Sequence, residues 1–269
     1  MTTAEDRTSS RGRPERALYA SQRQQALLQT VRTTGRVEAA EAAQELKVSR
    51  EAIRKDLIEL ERLGLLRRVH GGAIAVDELS FEPAVSARTE FMDEKRRIAR
   101  AAIDELPREG SVFIDAGSTT AGLAELFPTD RDLTVFTNQL PIAVTLVARP
   151  RLTVHTLGGR VRSRTLAEVD NWAVRALSEL RVDVAFLGTN GLSLERGLTT
   201  PDESEATVKR LMYGAARRRI LLTDHSKIGH ISTLKYADLS DVDLLITDDG
   251  VDEQDLKKLT DAGLAVRCV

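Results

Sequence analysis

One basic helix near the start of the chain carries the residues best suited to binding a nucleic acid. Ser49 is a good N-cap, and Glu51 in the first turn favours the positive end of the helix dipole. Apolar residues recur along one side of this helix: Ile53, Leu57 and Leu60. Cations occupy the other side: Arg50, Arg54 and Lys55. The predicted helix therefore has one face for packing and one for a polyanion.

A short basic hairpin is predicted directly after this helix. Gly64 closes the helix, and Gly71-Gly72 suits a hairpin turn between two short apolar runs. The hairpin carries two cations and a histidine: Arg67, Arg68 and His70. Amphipathic patterns at residues 22–31 and 38–46 predict two further helices upstream. Together these elements predict a winged helix-turn-helix, whose recognition helix lies in the major groove of DNA.

A basic helix face is more often merely solvated than functional, so the charge of the whole region matters. Residues 1–76 contain 14 Lys and Arg against 10 Asp and Glu, whereas the rest of the chain contains 25 against 31. The positive part thus coincides with the predicted winged helix, as phosphate binding requires. We expect Arg54 to read a base edge, while Lys55, Arg67 and Arg68 hold phosphates.

Small polar residues follow several predicted strands in the remainder of the chain. Strands are predicted at residues 111–115, 133–137, 152–157, 182–187, 219–223 and 243–247, with helical stretches between them. This alternation predicts a mainly parallel sheet flanked by helices, in which ligands bind at the carboxyl ends of the strands. Ser118 and Thr119 open a helix there and suit a bound phosphate, with Lys227 as the opposing charge. Each polar stretch alone could equally be a turn or a helix cap.

Length and composition indicate a two-domain protein without a membrane span. The chain has 269 residues, of which 42% are hydrophobic and 30% charged, and no apolar run approaches the ~18 residues that a span needs. Cys268 is the single cysteine, which excludes an internal disulfide framework. Residues 1–17 lack the apolar core of a secretory signal. We expect a cytoplasmic protein with a disordered start.

The basic helix and hairpin carry a resemblance to a known family. The run from Val48 to Leu57, then Leu60-Glu61 and Gly64 to Ala73, resembles the DNA-binding signature of DeoR-type bacterial transcriptional repressors. The resemblance covers nearly all residues after the first twenty. It implies a winged helix-turn-helix joined to a C-terminal α/β domain similar to the sugar-phosphate isomerase fold of ribose-5-phosphate isomerase. It also implies a repressor whose operator affinity changes when the C-terminal domain binds a phosphorylated sugar.

The resemblance assigns the effector site residue by residue. The implied effector-binding residues are Asp115, Gly117, Ser118, Thr119, Asn138, Gly158, Gly159, Gly188, Glu205, Lys209, Asp224, Ser226 and Lys227, and Thr120 joins them from the predicted helix start after Gly117. One position departs from the family pattern, because Asp170 stands where a glycine usually follows Val169. Trp172 comes shortly afterwards, and we expect it in the core. If this loop faces the ligand, the added Asp170 carboxylate affects which effector can bind.

Three other functions compete with this interpretation. An active sugar-phosphate isomerase carrying a DNA-binding module is an alternative, with Asp115, Glu205 or Asp224 as the general base. A metal site at His225 and His230 lacks a carboxylate or cysteine partner at a ligand spacing, so we expect no metal. Gly158-Gly159 is not followed by the third glycine of a dinucleotide motif, so we expect neither NAD nor ATP as a cofactor.

The predicted domains are a winged helix-turn-helix at residues 18–76, a linker at 77–93 and an effector domain at 94–269. The partners we expect are double-stranded operator DNA and a phosphorylated sugar. We also expect a homo-oligomer, at least a dimer, because a single winged helix offers limited groove contact and two linked modules bind repeated half-sites.

Overall fold

The computed structural model describes residues 19–69, 71–75, 78–80 and 82–269. His70 and the expected disordered start at residues 1–17 lie outside the described residues. The chain divides into two compact units, Met1–Ala75 and Val76–Val269. Each unit is described separately.

The described part of the first unit contains three helices and a three-stranded antiparallel sheet with strand order β1-β3-β2. The elements are α1 (Ala20–Thr34), β1 (Arg36–Glu38), α2 (Ala39–Glu45), α3 (Arg50–Arg62), β2 (Arg67–Val69) and β3 (Gly72–Ile74). This arrangement confirms the predicted winged helix-turn-helix, with α3 as its recognition helix and β2-β3 as its wing.

Helix α3 forms where the sequence predicts it. The Ser49 hydroxyl accepts a hydrogen bond from the Ala52 N–H at 3.1 Å, which caps the helix. The predicted apolar stripe is buried: Ile53, Leu57 and Leu60. Asp56 is buried beside this stripe, and Arg23 of α1 donates to it through Nε at 2.8 Å. This ion pair ties α1 to the recognition helix, and the apolar spacing gave no indication of it.

The wing turns one residue earlier than predicted. Val69 pairs with Gly72, so Gly72 already belongs to β3, while Gly71 adopts a φ of +85°. The expectation that both glycines form the turn is therefore wrong for Gly72. A Cβ at Gly72 would lie 1.9 Å from the Val37 carbonyl oxygen of β1. Glycine is required here because β1, which the sequence did not predict, passes against the wing.

The second unit is an α/β domain, and its elements follow one another along most of the chain. Its helices are α4 (Met92–Ala102), α5 (Ser118–Glu125), α6 (Leu140–Val147), α7 (Asp170–Glu179), α8 (Glu203–Ala215) and α9 (Glu253–Asp261). Its strands are β4 (Glu109–Ile114), β5 (Asp132–Thr137), β6 (Leu152–Thr156), β7 (Arg160–Val161), β8 (Glu168–Val169), β9 (Val182–Leu187), β10 (Gly191–Ser193), β11 (Gly197–Thr200), β12 (Ala216–Leu222), β13 (Leu234–Ala237), β14 (Leu244–Thr247) and β15 (Val266–Cys268).

Seven of the described strands form one sheet, in the order β15-β14-β12-β9-β4-β5-β6, and all neighbouring pairs are parallel. This confirms the predicted parallel sheet. Alternate residues face opposite sides, so Phe113 and Leu187 enter one core cluster while Ile114 and Phe186 enter the other. The smaller antiparallel sheet β10-β11-β13 was not predicted, because its short strands lack a continuous apolar run.

The stretch expected to be a linker, residues 77–93, differs from that expectation. Helix α4 begins at Met92, inside the stretch. The Val85 N–H donates to the Arg164 carbonyl at 2.8 Å, and Glu82 is buried at 4% exposure. Residues 82–91 therefore belong to the packed structure of the second unit. Polar and ionic contacts hold the segment, and because such contacts leave no periodic apolar pattern, this packing was not predictable from the sequence.

Candidate functional site

The predicted effector residues lie mainly along the carboxyl edge of the large sheet, meaning the edge formed by the carboxyl ends of its parallel strands. Asp115 follows β4, and Asn138 follows the neighbouring β5. Gly188 follows β9 on the other side of β4, and Asp224 follows β12 beyond it. Strands that are distant in sequence thus bring these residues to one edge, where ligands bind in such sheets.

A buried ion pair lies at the centre of this edge. The Lys209 ammonium of α8 contacts the Asp115 carboxylate and donates to the Gly188 carbonyl at 3.0 Å. The Gly188 N–H donates to the same Asp115 oxygen, Oδ2, at 3.0 Å. Burial lowers the pKa of Lys209, but the adjacent Asp115 carboxylate, together with Tyr236 and Glu205, outweighs burial and holds that pKa above its usual value. Asp115 Oδ1 is buried and has no hydrogen-bond partner among the described residues.

A second buried carboxylate, Glu205, lies one turn before Lys209 on α8. It accepts a hydrogen bond from the Thr165 hydroxyl at 2.6 Å and contacts the Arg162 guanidinium. Arg162 also reaches Glu82 at 2.9 Å and Asp202 at 3.1 Å. Burial raises the pKa of Glu82, and the nearby Glu205 carboxylate raises it further. Arg162 therefore offsets the negative charge of three carboxylates, one of which, Glu82, belongs to the expected linker.

The start of helix α5, at the carboxyl edge, has polar groups without partners among the described residues. No described side chain caps this helix, and the Ser118 and Thr119 hydroxyls make no hydrogen bond within the described residues. The Thr120 hydroxyl instead donates to the Gly117 carbonyl at 3.1 Å. The Asn138 side-chain oxygen accepts the Ala116 N–H at 2.9 Å and so holds the loop that precedes the helix. The first N–H groups of α5 are thereby left for an anion.

Asp224, Ser226 and Lys227 form a separate group after β12. The Ser226 N–H donates to Asp224 Oδ1 at 3.1 Å. Both Asp224 and Lys227 act electrostatically on Lys95 of α4, whose pKa is lowered chiefly by burial. Two strand spacings of about 4.8 Å separate the end of β12 from the end of β4. The protein contacts therefore do not join Lys227 to the α5 start, although both lie on the carboxyl edge.

Two of the predicted glycines have packing or backbone roles. A Cβ at Gly159 would lie 2.6 Å from the Val169 carbonyl oxygen, and its φ is +109°. The Gly158 N–H donates to the Glu168 carboxylate at 2.8 Å. Asp170, where the resembling family usually has glycine, adopts a φ of +73° and pairs with Arg160 at 2.5 Å. Glycine adopts this conformation without steric cost, which explains its usual presence.

Trp172 on α7 is 77% exposed, so the expectation that it lies in the core is wrong. Its helix packs through Ala173 and Leu177, which are buried. The residues that sequence reasoning missed at the site are mostly polar partners: Glu82, Gln139, Arg162, Thr165, Asp202 and Tyr236. The arginines at 160, 162 and 164 were the available signal, because three cations within five residues need anionic partners.

The predicted DNA-binding residues that the structure describes lie on the exposed surface of the first unit. Arg50, Lys55 and Arg67 are exposed. Arg54 pairs with Glu51 through two contacts of 2.8 Å, and its side chain is 59% exposed. Arg68 pairs with Glu61 at 3.1 Å. Arg50 thus presents a guanidinium at the helix start. The Arg54 guanidinium must leave the Glu51 carboxylate before it can bind another acceptor.

Comparison with protein-family models decides the relationship. The DeoR-like helix-turn-helix domain matches residues 23–79, and the DeoR C-terminal sensor domain matches residues 90–249. The chain belongs to the DeoR family. It is therefore a transcriptional regulator with an N-terminal DNA-binding domain and a C-terminal sensor domain.

Named relatives agree over most of the chain. The HTH-type transcriptional regulator GlpR of Haloferax volcanii is 38% identical over 82% of this chain and 87% of its own length. A putative aga operon transcriptional repressor of Escherichia coli is 31% identical over 94% of this chain and 95% of its own. The glycerol-3-phosphate regulon repressor of Escherichia coli is 30% identical over 85% and 90% respectively.

Solved structures are more distant. Ribose 5-phosphate isomerase A from Methanocaldococcus jannaschii has a TM-score of 0.38 at 15% identity, covering 51% of this chain and 54% of that one. This likeness concerns the fold alone. Within the part of the chain that the structure describes, no helix is long and apolar enough to cross a membrane.

The buried ion pair gives a stability prediction. Lys209→Met should leave the Asp115 carboxylate buried beside an apolar side chain and lower the free energy of unfolding by about 3–5 kcal/mol. Adding Asp115→Asn should recover part of that loss. The control is Lys235→Met. Because Lys235 pairs with Asp238 on the surface, this substitution should lower the free energy of unfolding by at most about 1 kcal/mol. Urea unfolding followed by circular dichroism measures all of these variants. Equal losses for Lys209→Met and Lys235→Met would contradict the prediction.

Proposed function

We propose that this regulator represses a carbohydrate catabolic operon and that a phosphorylated sugar bound at the carboxyl edge lowers its affinity for the operator. The observation that carries the proposal is the uncapped start of α5 beside the buried carboxylates Asp115 and Glu205. A helix N-terminus suits a phosphate, and carboxylates suit hydroxyl groups. The carboxyl edge thus provides partners for the phosphate group and for the hydroxyl groups of a sugar phosphate.

The two kinds of partner divide the site. Ser118 and Thr119 are assigned to the phosphate subsite, and Lys227, although no protein contact joins it to the α5 start, is assigned the opposing charge, because a nearly dianionic phosphate favours N–H groups, hydroxyls and an ammonium. The sugar hydroxyls are assigned to Asp115, Asn138, Glu205 and Asp224, whose negative charge or amide oxygen would not favour phosphate. Asp115 Oδ1 supports this assignment, since it is a buried acceptor without a partner among the described residues.

A regulator fits the state of these carboxylates better than an isomerase does. Asp115 is paired with Lys209, Glu205 with Arg162, and Asp224 accepts two hydrogen bonds from Ser226. A general base needs a free lone pair directed at the substrate, whereas each of these carboxylates is held by a cation or a hydroxyl of the protein. Two of the relatives are named as repressors, which supports the direction of control.

Removing the Lys227 ammonium should separate sensing from DNA binding. Lys227→Ala should bind the operator as the parent does but release it only at an effector concentration at least about tenfold higher, because the phosphate loses a charged partner. Fluorescence anisotropy on one operator, titrated with glycerol 3-phosphate, ribose 5-phosphate, fructose 1-phosphate and glucose 6-phosphate, measures both properties. Lys257→Ala, an exposed lysine on α9, is the control. Release of DNA by Lys227→Ala at the parent's effector concentration would refute the assignment.

Operator recognition should depend on the first turns of α3. Arg54→Ala should weaken specific binding by about 1–3 kcal/mol and relax the preference for one base pair. Arg62→Ala is a closely matched control, because Arg62 pairs with Glu59 as Arg54 pairs with Glu51 but lies two turns further along α3. Competition binding against operators with single base changes distinguishes the two variants. The assignment fails if both arginine variants bind and discriminate as the parent does.

We infer a homo-oligomer, and the outer face of α6 supports it. Leu140, Val144 and Val147 recur on one side of this helix with exposures of 38%, 71% and 68%. Such an apolar stripe favours association. Sedimentation at micromolar concentration should give at least a dimer of the 29.6 kDa chain, and Val144→Asp should weaken it. Leu194→Asp, at another exposed apolar residue, is the control. A parent that sediments as a monomer while saturating its operator would exclude this assembly.

A further inference from the structure

The chain segment at residues 82–91 connects the effector site with the winged helix. We call it the connecting segment. At its beginning, Glu82 is buried between two arginines, Arg162 at 2.9 Å and Arg88 at 3.2 Å. The Arg164 guanidinium donates to the Glu82 carbonyl. The side chain and the backbone of Glu82 are thus both bound to residues of the second unit.

The other end of the connecting segment is held beside the β12 group. The buried Lys95 ammonium of α4 donates to the carbonyls of Arg88 at 3.2 Å and Glu90 at 2.7 Å. Phe91 packs edge-on against the His225 ring, with 4.6 Å between ring centroids. His225 directly precedes Ser226 and Lys227, which belong to the proposed phosphate subsite. Both ends of the segment therefore rest on residues next to the proposed ligand.

The anchor at Glu82 shares its cation with the site itself. Arg162 binds Glu82 through Nη2 and Glu205 through Nη1, so one guanidinium serves the connecting segment and a proposed hydroxyl-binding carboxylate together. A guanidinium has a limited number of donors in a fixed plane. A ligand that moves the Arg162 guanidinium, directly or through Glu205, therefore also changes its bond to Glu82.

We propose that Glu82 is a positioning residue through which occupancy of the effector site is transmitted to the DNA-binding unit. In the ligand-free state the Glu82–Arg162 pair holds the connecting segment on the second unit, and this state binds the operator. Ligand binding at Glu205 and Lys227 loosens both anchors and releases the segment. A ligand changes operator affinity only as far as it favours one of these two states. The inference rests on the proposed effector site and names its route of regulation.

The first test needs no ligand. Full-length parent, Glu82→Gln and Glu90→Gln are compared by amide hydrogen exchange of residues 82–91 and by operator affinity. Glu82→Gln should exchange about tenfold faster in this segment and bind the operator at least about fivefold more weakly, the lower range of known couplings. Glu90→Gln removes a charge from the same segment, but its exposed carboxylate forms no hydrogen bond or ion pair with a described residue and acts on Lys95 only as the last of five influences, so it should stay close to the parent.

A second variant guards against a folding defect in the first. Arg88→Gln removes a partner of Glu82 without touching Arg162 or Glu205, and it should shift exchange and affinity in the same direction by a smaller factor. Circular dichroism confirms that each variant is folded. The proposal is overturned if folded Glu82→Gln and Arg88→Gln both match the parent in segment exchange and in operator affinity.

The second test adds the sugar phosphates named above, with inorganic phosphate as a further probe. A probe that releases the parent from the operator should also accelerate exchange in residues 82–91, and its effect on Glu82→Gln should be at least about fivefold smaller. Release of the parent and of Glu82→Gln by the same factor, with unchanged exchange in the segment, would overturn the proposal. If no probe affects the parent, the proposed sugar-phosphate effector fails, and the ligand-free comparison still decides the role of Glu82.

Discussion

The buried ion pair between Asp115 and Lys209 is the interaction on which the rest of the carboxyl edge depends. Removing two charges from water is costly, so such a pair persists only when its geometry is good and further hydrogen bonds satisfy it. Gly188 supplies both, since its N–H binds the carboxylate and its carbonyl accepts from the ammonium. The Tyr236 hydroxyl donates to the same carbonyl at 3.2 Å. The ends of β4 and β9 are thereby held against α8.

The position of α8 then determines the next layer of polar contacts. Glu205 lies one helical turn before Lys209, so both side chains point towards the carboxyl edge. Glu205 binds Arg162, and Arg162 binds Glu82 of the connecting segment. Each ionic contact thus places the partner of the next one. These contacts form a chain from Lys209 at the centre of the carboxyl edge to Glu82, which lies in the segment that follows the winged helix in the sequence.

The two units differ in how their function relates to local sequence. In the first unit, the N-cap, the apolar stripe and the cations of α3 all lie within thirteen residues and their flanks, so one helix carries both the packing and the polar face. In the second unit, the carboxylates and cations come from positions up to about a hundred residues apart, as with Asp115 and Lys209. Their meeting depends on the parallel order of the strands.

The sequence by itself determined the winged helix, the parallel sheet and the polar residues that end its strands. Helical and strand periods reflect burial of neighbouring residues, so Ile53, Leu57 and the strand at Val182–Leu187 were predictable. Only the tertiary structure decided which charges meet. No periodic pattern in the sequence indicates that Arg162 pairs with Glu82 and Glu205, that β1 approaches Gly72, or that Trp172 is exposed. The physical reason is that an ion pair or a close backbone contact needs only one residue from each of two distant segments.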